Sequence, residues 1–300
     1  MKRVLAKINY ESFNSINQTY YNKQVEHEGL FWRAIDGKEL RGTIDKVAGE
    51  KRSENIVQMV SHQDQSSQLI GFYNGSKESE KTLVQKHFES EKELNGSAFT
   101  LDALHTHPGL LTAVAQKNGI YLAQVKENQK ILLEDCKHTH QHLIEKQQIN
   151  ESEKGHGRIE TRQGFLYLLN VECLVSRWKD SDIQTLLVVE RTRFITKTKT
   201  ETNETAYFVS NKKLTKVSGL ELFNAARQHW RIETDNNISD VNFGEDEIRS
   251  FNKNTSRMMA VSISFALNLL RRINSKNNIR ILREDLSSDR NLLFPCLAKN

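Results

Sequence analysis

Between Phe31 and Gln148 the chain alternates short apolar runs with amphipathic stretches in an order that few topologies accommodate. LFWRAI, running into the turn-like DGK, reads as a first strand. ENIVQMVSH and SQLIGFYNG follow across the polar QDQS, both rich in β-formers and bounded by turn residues, as in a hairpin. The charged stretch from Ser76 to about Leu94 carries Leu83, Val84 and Phe88 at the spacing of an exposed amphipathic helix. SAFTLDAL is a fourth strand with Asp102 near its end. PGLLTAVAQKNG reads as a helix, with proline in its first turn and glycine near its stop. IYLAQVK is a buried-type strand, and Asn128 to about Gln148 a polar helix with Ile131, Leu132, Leu143 and Ile144 as its apolar contacts.

A three-strand meander followed by βαβα units implies a mixed sheet with right-handed crossovers. This is the ribonuclease H-like order, an α/β fold in which the first and fourth strands are adjacent at the sheet centre. Asp36 and Asp102 lie at the ends of those two strands. From Gly155 to about Thr215 the character changes: FLYLLNVECLV, TLLVVERTRFITKTK and TAYFVS, separated by polar turns, read as an antiparallel β insertion. Helical patterning returns at Ser218, an N-cap with Glu221 three residues on. Phe223, Ala226, Trp230 and Glu233 then share one helical face. A last long helix, around Thr255 to Ile273, packs through Met258, Met259, Phe265, Leu269 and Leu270. The expected organisation is an N-terminal segment (1–30), a ribonuclease H-like core (31–154 and 216–273), the β insertion (155–215) and a C-terminal tail (274–300).

With 37% hydrophobic and 27% charged residues among 300, the chain is globular in composition, and its net charge of +5 admits nucleic acid as a partner without requiring it. Cys136, Cys173 and Cys296 are too scattered for a disulfide framework or a CxxC metal pair, which suits a reduced cytoplasmic compartment. The start, MKRVLAKINYESF, has no signal-like apolar run, and AVSISFALNLL is too short to span a bilayer, so no membrane association is expected.

Three acids stand out by context. Asp36 and Asp102 end apolar strands, and Glu233 sits on an apolar helix face, where a charge is costly unless paired or metal-bound. Gathered together they would repel, and two divalent cations would relieve that repulsion. Oxygen-only ligands favour Mg²⁺ or Mn²⁺. Among 38 acidic residues, each of these taken alone reads more simply as a strand-end cap or an ion-pair partner, and spacing alone does not settle the matter.

Six segments, in order, resemble a known family. AIDGKELRG resembles the first-aspartate motif of insertion-sequence DDE transposases, in particular the H-repeat-associated branch. LDALHTH resembles the second-aspartate motif, YLAQVKENQ the strand after it, GHGRIETR the basic motif before the insertion, RQHWRIE the glutamate-bearing helix and DVNFGED the segment beyond it. The resemblance implies Asp36, Asp102 and Glu233 as catalytic metal ligands, two Mg²⁺ or Mn²⁺ ions, and DNA as substrate. It implies hydrolysis at a transposon end followed by attack of the freed 3′-hydroxyl on target DNA, and paired-end assembly as a homodimer. Two features depart from the pattern. The segment after Glu233, ETDNNISDV, is one residue shorter, which in a helix turns everything beyond it by about 100°. Family members also carry a longer region ahead of the first aspartate. The alternative function is thus a catalytically impaired, DNA-binding remnant or inhibitor.

Candidates for DNA contact are Lys126, Asn128 and Gln129 after the fifth strand, Arg158 and Arg162 in the basic motif, and Arg227 and Trp230 near Glu233. Arg191, Arg193, Lys197 and Lys199 alternate along one strand and so share a face that can track phosphates. Each has a plainer reading: salt bridges for the arginines, a solvent face for the strand, a helix cap for Asn128, core packing for Trp230. His105 serves either proton transfer or as a polar residue at the cleft mouth. In CKHTHQH the i,i+4 pairs Cys136/His140 and His138/His142 face different directions, which argues against zinc.

Overall fold

The β-forming runs read in the sequence become strands wherever a neighbour pairs with them. The computed structural model describes residues 2–21, 29–44, 53–155, 157–169, 176–273, 278–289 and 291. Cys173, Cys296, His156 of the basic motif and the VECLV end of the insertion's first run lie outside them. In chain order the elements are α1 (Lys2–Leu5), α2 (Tyr10–Tyr21), β1 (Phe31–Leu40), β2 (Glu54–Ser61), β3 (Ser67–Asn74), α3 (Lys77–Ser90), β4 (Ser97–Leu101), α4 (Pro108–Gln116), β5 (Ile120–Val125) and α5 (Lys130–His142). Then come β6 (Gln147–Gly155), β7 (Arg158–Leu168), β8 (Thr185–Ile195), β9 (Thr200–Ser210), α6 (Lys216–His229), α7 (Arg231–Phe243), α8 (Lys253–Ile273) and α9 (Ile279–Ser288). The fold is ribonuclease H-like α/β, its strands mostly antiparallel and flanked by helices. The chain divides into two compact units, 1–84 with 230–300, and 85–229.

In the first unit β1, β2 and β3 form an antiparallel meander in which Asp36 pairs with Gln58. Leu40, Ile56 and Leu69 from its strands pack against Ala260 and Val261 of α8, with Phe13 of α2 and Phe72 at the margin. The Asn268 amide both donates to and accepts from the Ser67 backbone, at 2.7 Å each way, which satisfies the start of β3. Arg257, also on α8, pairs with the buried Glu54 at 2.6 Å.

In the second unit β4 and β5 are parallel, and β5, β9, β8, β7 and β6 follow as antiparallel neighbours. Tyr121, Phe88, Phe99, Leu110, Leu111, Leu122 and Phe208 are fully buried there. The run Thr185–Val189 is buried throughout, as a strand covered on both faces must be, and from Glu190 to Phe194 β8 is half-buried. The outer halves of β7, β8 and β9 thus make a polar arm, half-buried on β7 and β8 and exposed on β9, on a buried base.

Four local expectations change. β1 does not stop at DGK: Lys38, Glu39 and Leu40 pair with Ile56, Asn55 and Glu54, so Asp36 stands in mid-strand. The helix expected to reach Gln148 ends at His142, and Leu143 is extended. It packs through Leu132, Leu133, Cys136 and Thr139, while Leu143 and Ile144 are exposed. Gln147–Gly155 pairs residue for residue with β7, so a strand ladder claims a stretch whose polar sequence has little packing to offer a helix. Lys197 and Lys199 sit in the β8–β9 turn, Lys199 with φ +53°, and not on the strand with Arg191 and Arg193. Helix α6 starts at Lys216, where Thr215 Oγ1 accepts the Ser218 N–H at 3.1 Å and Ser218 Oγ accepts the Thr215 N–H at 2.6 Å. Thr215 is therefore the cap, and Ser218 answers it from inside the first turn.

Candidate active site

Strand β1 turns Ala34, Asp36 and Lys38 to one face, by the two-residue period of a strand. Helix α7 runs along that face in step with it. Ile232 packs with Ala34 and Val60. Asn236 donates to Asp36 Oδ2 at 3.4 Å and accepts from Gln58, the cross-strand partner of Asp36. Lys38 Nζ donates to the Asn236 carbonyl at 3.2 Å and to Asp240 at 2.6 Å, and pairs with Glu245. Four helical residues rise about 6 Å and two strand residues about 6.6 Å, so contacts 232 to 34, 236 to 36 and 240 to 38 keep register. Glu233 is exposed, one helical turn before Asn236.

This corrects the shared face read from Phe223 to Glu233. Helix α6 ends at His229 and α7 begins at Arg231, with Trp230 as the joint, so Phe223 and Ala226 are buried on one helix and Glu233 starts another. Glu233 is no core-facing carboxylate. The segment after it is continuous helix to Phe243, and Gly244 closes it in the left-handed conformation, φ +61°.

Asp102 directly follows β4. Its Oδ1 accepts the His105 N–H at 3.0 Å. Thr106 Oγ1 lies 3.0 Å from the Asp102 carbonyl and 2.7 Å from that of Gln124 on β5. Asn128 and Gln129 donate, at 2.6 Å each, to the carbonyls of Ala103 and Thr106. These two side chains brace the Asp102 loop. His107 Nδ1 accepts the Leu110 N–H and caps α4. His105 is fully buried, not at an open mouth. His229 bonds to Thr100 at 3.0 Å, two residues before Asp102. Burial pushes its imidazole down to about 4, against the opposing pull of Asp102; His105 and exposed Lys126 push it the same way as burial.

Carboxylates alone are a hard-oxygen donor set, which fits Mg²⁺ or Mn²⁺. Among the described residues, no three or more His, Cys, Asp or Glu side chains are grouped so that they could hold a metal ion as they stand. In the CKHTHQH run His140 is taken by Tyr167 and Glu190, at 2.8 and 3.1 Å, and burial pushes the Cys136 thiol up to about 12.

Residues 33–269, well over half of the chain, match the family model described as "Transposase DDE domain". The chain belongs to that family. A transposase role follows, and with it an enzyme of the nuclease and transferase kind. No curated protein matches the chain. Among the described residues, no helix of this transposase is long and apolar enough to cross a membrane.

Most of the transposase's basic candidates carry partners. Buried Glu160 receives Arg158 at 2.7 Å, Arg193 at 3.0 Å and Arg162. Burial by itself would raise Glu160, but Arg162, Arg193 and Arg158 together hold its carboxyl below the usual range. Arg162 also reaches Glu153, Arg191 pairs with Glu204, and Arg227 ties α6 to Glu151 and Glu153 of β6. Lys126, Lys197 and Lys199 are exposed, and Trp230 is half-buried at the helix joint. Sequence reasoning missed Lys38, Gln58 and Asn236. Only Lys38 carried a signal, since it lies in the first-aspartate motif and its partners Asp240 and Glu245 in the last one; nothing local marks Gln58 or Asn236.

Proposed function

We propose that this DDE transposase cuts transposon ends and joins them to target DNA with Asp36, Asp102 and Glu233 as ligands of two Mg²⁺ or Mn²⁺ ions. The observation that carries the reading is the run of α7 in step with β1, because Asn236 touches Asp36 and Glu233 stands one turn away on the same helix. Asp102 supports it as the first residue past β4, with one carboxylate oxygen committed to a backbone N–H and its loop braced by Asn128 and Gln129.

Water attacks the phosphodiester at the element's end; a new P–O bond forms, the P–O3′ bond breaks, and the strand leaves with a free 3′-hydroxyl. That hydroxyl then attacks a target phosphodiester, whose own P–O3′ bond breaks in turn. Bound divalent cations would activate the attacking oxygen and stabilise the leaving one. The protein's part is to hold the carboxylates and orient the strands. Lys126, Lys197 and Lys199 are the basic candidates best exposed for phosphates, with Arg158, Arg162, Arg191, Arg193, Arg227 and Trp230 as further contacts. The acting form is a cytoplasmic homodimer on paired ends.

The test is Mg²⁺-dependent nicking of a duplex carrying the element's terminal sequence, wild type against Asp102→Ala. Loss of nicking in the variant, with its melting temperature kept, is expected. Equal nicking by the two proteins would remove Asp102 from the chemistry. Wild-type protein that binds the end but does not nick it would favour the DNA-binding remnant.

A further inference from the structure

We propose that Lys38 is a positioning residue whose buried ammonium locks α7 in step with β1 and so fixes Glu233 with respect to Asp36. The proposal rests on the acidic-site reading above and deepens it.

Lys38 is 8% exposed, and a lysine that deep needs acceptors for its charge. It has one for each of its three N–H groups: the Asn236 carbonyl, Asp240 and Glu245. All three belong to α7 or to the single turn just after it. One is a helix backbone carbonyl, which cannot follow the ammonium by changing rotamer. Sliding α7 by one residue would move its groups about 1.5 Å and rotate them about 100°, breaking all three bonds together. Asn236, whose carbonyl Lys38 holds, is also the residue that touches Asp36 and Gln58. The ammonium therefore acts two residues from Asp36 on the same strand face, and one helical turn from Glu233. An ion pair serving stability alone has no need of this placement.

Lys38→Met by itself leaves Asp240 and Glu245 without their cation and can simply unfold the unit, because removing one partner of a buried pair is costly. The informative variant is Lys38→Met/Asp240→Asn/Glu245→Gln, which carries no charge at the three positions. In this variant, at a melting temperature near wild type, α7 amides are expected to exchange about tenfold faster while α8 amides do not change. Mn²⁺ affinity, read by electron paramagnetic resonance on the protein with the metal alone, should fall about tenfold. Turnover of end nicking should fall about a hundredfold with KM for DNA within about twofold, as expected for an ångström-scale misplacement. Unaltered α7 exchange would overturn the lock. Mn²⁺ affinity that Asp36→Asn and Glu233→Gln weaken but the triple variant does not would overturn only the positioning role. Affinity untouched by Asp36→Asn and Glu233→Gln would overturn the acidic-site reading, and the positioning role with it.

Discussion

Gly37, beside Asp36, is glycine because another side chain fills the place of its Cβ. A methyl group there would overlap the carboxyl of Glu80 on α3. Glu80 is buried at 6% exposure and accepts a hydrogen bond from the Tyr73 hydroxyl, which burial and Glu80 together push well above its ordinary pKa. Gly37→Ala therefore leaves two routes. Either Glu80 stays and the strand absorbs the overlap, at about 1–3 kcal/mol for overpacking, or Glu80 swings out and the charge-assisted bond to Tyr73 is lost, at about 1.5–3 kcal/mol. The protein takes the cheaper one, so a loss of about 2 kcal/mol is expected in urea unfolding followed by circular dichroism. A double-mutant cycle isolates the cause. In a Glu80→Ala background the overlap is gone, and Gly37→Ala should cost no more than about 0.5 kcal/mol. The same penalty in both backgrounds would refute the assignment to Glu80.

Other consequences are as direct. Thr215→Ala removes the α6 cap and should cost about 1 kcal/mol, with Thr215→Asn close to neutral; a silent alanine would show that Ser218 caps alone. His229 is neutral when folded, with its pKa near 4 against an ordinary 6.5. The unfolded chain thus binds more protons between those values, and stability is full above about pH 6.5 and falls as pH drops toward 4. From pH 7 to pH 5 the loss from this group should be about 2 kcal/mol, and a folded His229→Gln variant should lose that part of the pH dependence in thermal melts. Glu160→Gln leaves Arg158, Arg162 and Arg193 without their shared carboxylate; DNA affinity should rise and its salt dependence steepen. An unaltered salt slope would mean that these arginines touch no phosphate.

The order of elements was legible because each apolar run is short, bounded by turn residues and unambiguous in period. PGLLTAVAQKNG held its form because local chemistry specifies it, His107 capping α4 and Pro108 opening it, whereas the strand read in SAFTLDAL ends at Leu101 and leaves Asp102 just beyond it. The two aspartates could be picked out because a charge next to an apolar strand is conspicuous in any sequence. What the sequence could not decide was set by partners far along the chain. DGK reads as a turn until Ile56 and Glu54 pair beyond it, and QQINESEKG reads as helix until β7 lies alongside. Glu233 shares a stripe with Phe223 only on paper, since a helical wheel assumes an unbroken axis and Trp230 breaks it. The environment of Asp36 is the sharpest case. Gln58, Lys38, Asn236 and Asp240 are ordinary polar residues in one dimension. They converge because a strand advances about 3.3 Å per residue and a helix about 1.5 Å, and only packing the two side by side brings positions 200 residues apart into hydrogen-bonding reach.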